Sequence, residues 1–271
     1  MAAKPTTWTP AADDDPLPGV GEVHLWRWSL DVPTSAITSL GRLLSTDERT
    51  RANRFKRPGD RGRFIVGRAS LRILLGRASE IEPSAIIFRY GLQGKPLLSE
   101  SFNDLSLQFN LAHSGGVALL AVAREARIGV DIEEIRPMEN AEGLMSRFFA
   151  PAEAAEWNLL AEDQRLAGFF HGWTRKEAYI KATGQGLSQP LKAFAVSLSP
   201  GRPSALVEVE GDPEEVARWS ILDVDPGPGY SGAIAVEGRG FRVRSRDAGG
   251  LLARYLAGMS SRGPDEPGDG A

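Results

Sequence analysis

The sequence predicts an α+β fold of two similar lobes with a cleft between them. Two observations carry this. The 271 residues are 42% hydrophobic and 25% charged, the balance of a folded protein with enough chain for one large domain or two small ones. An order of elements also recurs: a strand, then helices, then strands up to about residue 135, and from Arg136 onward helices and strands again. No sequence identity relates the halves. The recurrence sets a first lobe at 21–127 and a second at 128–245, followed by a C-terminal helix and tail at 246–271. Residues 1–20 and the end "SRGPDEPGDGA" are polar and rich in Pro or Gly, and are expected to be disordered. A cleft between lobes is a common place for a ligand site.

"VHLWRWSL" (23–30) alternates with the two-residue period of a strand. The stretch from Leu43 to Ala78 reads as helices broken at Pro58-Gly59, with Ser45-Thr46-Asp47-Glu48 as a helix start. "AIIFRYGLQGKPLL", "LSLQFNLAHS" and "VALLAVAREARIGVDIEEI" follow as strands, the last turning at Arg124 to Arg127. The second half reads as helix "ENAEGLMSRFF", helix "PAEAAEWNLL" opened by Pro151, and a long helix near 164–183. Strands "FAVSL", "ALVEVE", "WSILDV" and "SGAIAVE" complete it.

A net charge of −3 argues against a surface built to hold nucleic acid, so any anion site is local. The chain has no cysteine, which excludes disulfides, a thiolate nucleophile and Cys-ligated zinc. Its amino end lacks a basic start followed by an apolar run, and no segment approaches the roughly 18 apolar residues of a membrane span. A cytoplasmic protein without membrane contact is expected.

In "RIGVDIEEI", Ile128, Val130 and Ile132 share one phase, and Gly129, Asp131 and Glu133 the other. The Cα atoms of the two acids then lie about 6.6 Å apart, within reach of one hard cation. The same pattern fits a solvated strand face, and Gly129 fits close approach of a ligand, close approach of a second backbone, or a bulge. In "FFHGWTRKEAYIKATGQGL", Trp173, Glu177 and Lys181 fall at i, i+4, i+8 in one row, and Gly184 is placed to end the helix. A surface ion pair would have this spacing too. Trp173 in the same row argues that the face is not the solvent side.

His113 follows the alternating Leu105, Leu107, Phe109 and Leu111, and precedes Ser114 and two glycines whose amides could approach an anion. His24 and His171 read as structural. Between Arg49 and Arg72 stand nine Lys or Arg residues against one acid, a local cationic patch suited to solvated helix faces or to a phosphate-rich ligand. Lys95, at a turn before Pro96, could join it. Walker, Rossmann, nucleophile-elbow and zincin motifs are absent from the sequence.

With "IGVDIEEI", "FFHGWTRKEAYIKATGQGL" and the upstream "NLAHSGG", the chain from Leu44 to Leu198 resembles the 4′-phosphopantetheinyl transferases of the larger, Sfp type. The family signatures are G-[IV]-D-[IV]-E and W-x-x-K-E-[AS]-x-x-K. The resemblance implies lobes related by a pseudo-twofold and a site between them for coenzyme A and Mg²⁺. It implies transfer of phosphopantetheine to an apo acyl or peptidyl carrier protein, as in polyketide or nonribosomal peptide synthesis. By position, Asp131, Glu133 and Glu177 fall on the metal-binding acids, and Glu177, Lys181 and Asp131 form the catalytic set. Lys181, His113 and Lys95 fall on coenzyme A contacts, with Arg51 and Arg68 near those that hold the 3′-phosphate.

Where the Sfp prototype has a lysine in its first helix, this chain has Glu48 beside Arg49, so the 3′-phosphate partner is open. Two lobes in one chain imply a monomer. The carrier is expected on an apolar surface with some basic residues, with Met145, Phe148 and Phe149 as candidates, although Phe148 and Phe149 fit a core equally well. Two other readings are a Mg²⁺-dependent phosphoesterase or nuclease, and a coenzyme A-binding module without catalysis.

Overall fold

A computed structural model of the chain describes residues 6–91, 94–102, 106–186, 189–199 and 202–261. Leu92, Gln93 and Leu105, expected in strands, and residues 262–271 of the expected tail lie outside the described residues.

The first half runs β1 (Thr9–Pro10), β2 (Glu22–Ser29), α1 (Thr34–Gly41), α2 (Thr46–Ala52), α3 (Pro58–Ser79), β3 (Phe88–Tyr90), β4 (Pro96–Leu98), β5 (Leu107–Ser114) and β6 (Val117–Arg124). The second runs β7 (Ile128–Glu134), α4 (Ala141–Phe148), α5 (Pro151–Asn158), α6 (Glu162–Thr183), β8 (Phe194–Val196), β9 (Leu206–Val209), α7 (Glu215–Arg218), β10 (Trp219–Val224) and β11 (Tyr230–Glu237). Then come β12 (Arg242–Asp247) and α8 (Gly249–Ser261). Proline opens α3 and α5, where its missing N–H costs no helical hydrogen bond.

The halves repeat one wiring. β2 pairs antiparallel with β6, and β6 with β5. β7 pairs antiparallel with β11, and β11 with β10. In each half three helices, the third of 22 residues, and then a two-stranded ladder, β3–β4 or β8–β9, intervene, the second half adding the short α7 before β10.

The repeat reaches single side chains. Glu48 accepts the Ser45 N–H at 3.0 Å and Arg72 Nε at 2.8 Å, with Arg68 Nε at 3.3 Å. Glu153 accepts the Ala150 N–H and Lys176 Nζ, both at 2.6 Å. Both acids are 1% exposed, so each caps its helix and neutralises a cation on the next long helix. Removing one partner of such a buried pair costs about 3–5 kcal/mol.

The five-stranded sheet has the order β1-β12-β2-β6-β5, and the three-stranded sheet β10-β11-β7. One apolar core lies among β2, α1, α3 and α8, and a second among α4–α6, β10 and β11. A third joins the sheets through Val23, Leu25, Leu119, Ile128, Val130 and Ile234. β5 and β7 meet through side chains: Val130 N–H donates to Asn110 Oδ1 at 2.8 Å and Glu134 N–H to Ser114 Oγ at 3.0 Å.

Three expectations need correction. Residues 6–20 are not a loose leader: β1 pairs with β12, Ala11 is buried, and Arg246 and Arg254 hold Asp15 and Asp13. The acids that made this segment read as solvated find their counter-ions at the far end of the chain. The second lobe does not run to 245, because β12 lies parallel to β2 in the first sheet. Its alternating arginines gave no apolar run to mark a strand. Finally, Met145 belongs to the second core rather than to a docking face, because α4 turns it toward α6, and of the two readings open to Phe149 the core is the one realised.

Candidate functional site

Gly129 sets the distance between the two carriers of the acids. A Cβ there would lie 2.1 Å from the Ala178 carbonyl oxygen and 2.4 Å from the Ala182 nitrogen. Of the three uses open to this glycine, close approach of a second backbone is the one realised, and that backbone is α6. The polar phase of β7 therefore faces α6 rather than water, and Asp131 is 3% exposed. Gly184 ends α6 in the left-handed conformation, φ +73°, as its C-terminal cap.

Lys181, four residues beyond Glu177, reaches back to β7, where its Nζ donates to Asp131 Oδ1 at 2.5 Å. Asp131 Oδ2 is buried and has no hydrogen-bond partner among the described residues. Burial pushes the Asp131 carboxyl up to about 7; Lys181 opposes this, and the charges of Glu133 and Glu177 add to it. Burial also raises Glu177, with Lys181 opposing and Glu133 adding. Glu133 Oε2 accepts the Ser114 hydroxyl at 2.9 Å.

The three acids thus sense one another. Among the described residues, however, no three His, Asp or Glu side chains are gathered as a ready metal cage. The ammonium of Lys181 compensates the mutually repelling carboxylates instead.

Beside them opens a pocket of about 430 Å³, within the usual range of ligand sites. It brings together Arg51, Arg68, Lys95, His113, Glu177 and Lys181, drawn from both halves of the chain. Arg63, Phe64 and Gly67 of α3 line it too and were not singled out in the sequence. Their i, i+1, i+4 spacing with Arg68 at i+5 describes one helix face, the signal that could have found them. The basic side chains outnumber the one lining acid, Glu177, so the pocket is cationic in an acidic chain.

The cations are not equally free. Arg51 is exposed and lies over the Phe64 ring at 5.4 Å. Arg68 is buried between the Phe88 and Tyr90 rings, with Glu48 as counter-ion and Nη1 without a partner among the described residues. Desolvation lowers its pKa. Glu48 is thus the buried partner of α3, while Arg49 turns to the Leu44 carbonyl and Thr46.

Lys95 Nζ donates to the carbonyls of Ile128 and Lys181, both at 2.8 Å, tying the end of α6 to the start of β7. Burial, with the Arg127 charge, pushes it down to about 8. His113 stands exposed at the rim, its pKa lowered first by desolvation and then by Lys181 and Arg63. Neither Gly115 nor Gly116 is among the residues that line the pocket, and the Gly116 N–H donates to Tyr230 Oη at 3.4 Å. Trp173 packs on Phe148, Phe149 and Phe169, holding the row that carries Glu177 and Lys181.

Arginines, lysines and a histidine facing carboxylates from one strand and one helix make a site for a phosphate-rich anion. Comparison with known proteins sharpens that class: the chain belongs to the 4′-phosphopantetheinyl transferase superfamily, whose family model matches residues 127–235. A 4′-phosphopantetheinyl transferase N-terminal model matches 28–125.

The 4′-phosphopantetheinyl transferase HetI of a Nostoc species is 40% identical over 238 residues, 88% of this chain and 97% of that protein. The transferase psf-1 of Bacillus pumilus is 35% identical over 198 residues, 73% of this chain and 81% of its own. Sfp of Bacillus subtilis is 30% identical over 192 residues, 70% and 81% respectively.

Proposed function

We propose that the protein transfers the 4′-phosphopantetheine arm of coenzyme A to a serine hydroxyl of an apo acyl or peptidyl carrier protein, with Mg²⁺, releasing 3′,5′-ADP. The observation that carries this is the single pocket uniting Arg51, Arg68, Lys95 and His113 of the first half with Glu177 and Lys181 of the second. The recurring wiring and the paired Glu48–Arg72 and Glu153–Lys176 bridges support lobes related by a pseudo-twofold, with that pocket between them. Two halves in one chain support a monomer, working in the cytoplasm without nucleic acid. Among the described residues no helix is long and apolar enough to cross a membrane.

The donor set suits a hard cation: three carboxylates, one with a buried oxygen that has no partner among the described residues. Asp131, Glu133 and Glu177 would hold Mg²⁺, which when bound neutralises the pyrophosphate charge. The chain's own side chains do the rest. Arg51, Arg63 and Arg68 hold phosphate oxygens, and Lys181 steadies the departing 3′,5′-ADP. Glu177, whose pKa burial raises, takes the serine proton as the hydroxyl oxygen attacks the β-phosphorus.

The test is incubation with coenzyme A, Mg²⁺ and a panel of apo carrier proteins, read by intact mass. A carrier should gain the mass of the arm, and Glu177→Ala or Asp131→Ala should abolish the gain. Failure of every carrier to gain mass, or more than about a tenth of wild-type kcat in either variant, contradicts the assignment.

A further inference from the structure

We infer that Lys181 is a resident counter-cation of the acid cluster, which leaves Asp131 when a divalent metal arrives, so that metal and anionic co-substrate load as a coupled pair. The inference rests on the metal reading above and adds an exchange to it.

Asp131 is almost wholly buried, and one of its oxygens is already occupied by the Lys181 ammonium. A carboxylate so placed stays charged only beside a positive partner. Lys181 differs: its side chain is 31% exposed and lines the cationic pocket. Its backbone is held, because Lys95 grips the Lys181 carbonyl, so only the four-carbon stem is free to swing.

Two placements of the ammonium follow. On Asp131 it occupies one carboxylate oxygen and supplies the positive charge a metal would otherwise bring; in the pocket it meets a phosphate and leaves both oxygens of Asp131 to the metal. An anion in the pocket therefore favours metal binding, and by linkage the metal favours the anion to the same degree. Couplings of this kind amount to about 5–150-fold in affinity.

Mn²⁺ binding measured by electron paramagnetic resonance without coenzyme A tests the exchange on wild type, Lys181→Gln and Arg63→Gln. The last removes a pocket charge that bonds Asp31 rather than Asp131. Lys181→Gln should bind Mn²⁺ at least about tenfold tighter than wild type, with Arg63→Gln changed by less than about threefold. Coenzyme A should then tighten Mn²⁺ by a larger factor in wild type than in Lys181→Gln.

Unchanged or weaker Mn²⁺ binding by Lys181→Gln, or an equal gain in Arg63→Gln, overturns the exchange while leaving the metal assignment standing. No Mn²⁺ bound by any of the three overturns both. Should Lys181→Gln fail to fold, wild type decides by ¹⁵N NMR of the lysine ammonium groups. The Lys181 signal, sheltered in its ion pair, should vanish as Mg²⁺ is added, and its persistence at saturating Mg²⁺ overturns the exchange.

Discussion

Replacing Gly129 by alanine probes the joint on which the site depends. The new Cβ would stand 2.1 Å from the Ala178 oxygen, 2.4 Å from the Ala182 nitrogen and 3.0 Å from the Lys181 carbonyl carbon. Carbon and oxygen settle at about 3.3 Å, so α6 must retreat from β7 by about 1 Å. No flexible side chain can yield instead, since all three atoms are helix backbone. Overpacking of this severity costs about 3 kcal/mol, and removing a strand glycine returns up to about 1 kcal/mol, leaving a loss of about 2 kcal/mol.

The same retreat separates Lys181 from Asp131 and Glu177 from Glu133. A displacement of 1 Å at reacting groups lowers turnover about 100-fold. Urea denaturation gives the first number and the carrier-mass assay, run on folded protein, gives the second. Stability within about 0.5 kcal/mol of wild type, together with kcat/KM within about threefold, refutes the packing of β7 on α6 as the element that builds the site.

Ser114→Ala removes the hydroxyl that donates to Glu133 and accepts from Glu134, so kcat should fall about tenfold or more with the melting temperature little changed; unchanged kcat over a Mg²⁺ titration speaks against this role. Arg51 is the exposed pocket arginine, whereas Arg68 already neutralises Glu48. Arg51→Met should therefore raise KM for coenzyme A about tenfold or more and leave KM for 3′-dephospho-coenzyme A nearly unaltered; an equal rise for both contradicts it. Lys95 should titrate near pH 8 by ¹³C NMR of its Cε, a midpoint near 10.5 being the contrary result. Because its folded pKa lies below its free value, the unfolded chain holds more protons between about pH 8 and 10.5. Lys95 therefore makes stability rise through that window, its burial penalty being fully present below pH 8.

Local period and caps made much of this fold readable. "WSILDV" coincides with β10, and Pro151 and Gly184 mark the start of α5 and the end of α6. The row of Trp173, Glu177 and Lys181 is a single helix face because α6 runs unbroken from Glu162 to Thr183. What stayed hidden are facts of distant pairing. β12 is polar and carries no apolar alternation, yet it fills the place beside β2. Nothing local to Lys95 says that it ties two carbonyls of the second half, nor that Lys181 sits on an acid fifty residues upstream. Phe149 reads equally as surface or core, and Met145 as surface, until α4 is oriented against α6.

Diffraction at the manganese edge from crystals grown with Mn²⁺ and coenzyme A tests the central assignment most directly. The anomalous peak should lie within bonding distance of Asp131 and Glu177, with the coenzyme A pyrophosphate beside Lys181 and Arg51 near the 3′-phosphate. A peak away from these carboxylates, or coenzyme A lodged outside the pocket they border, would contradict it.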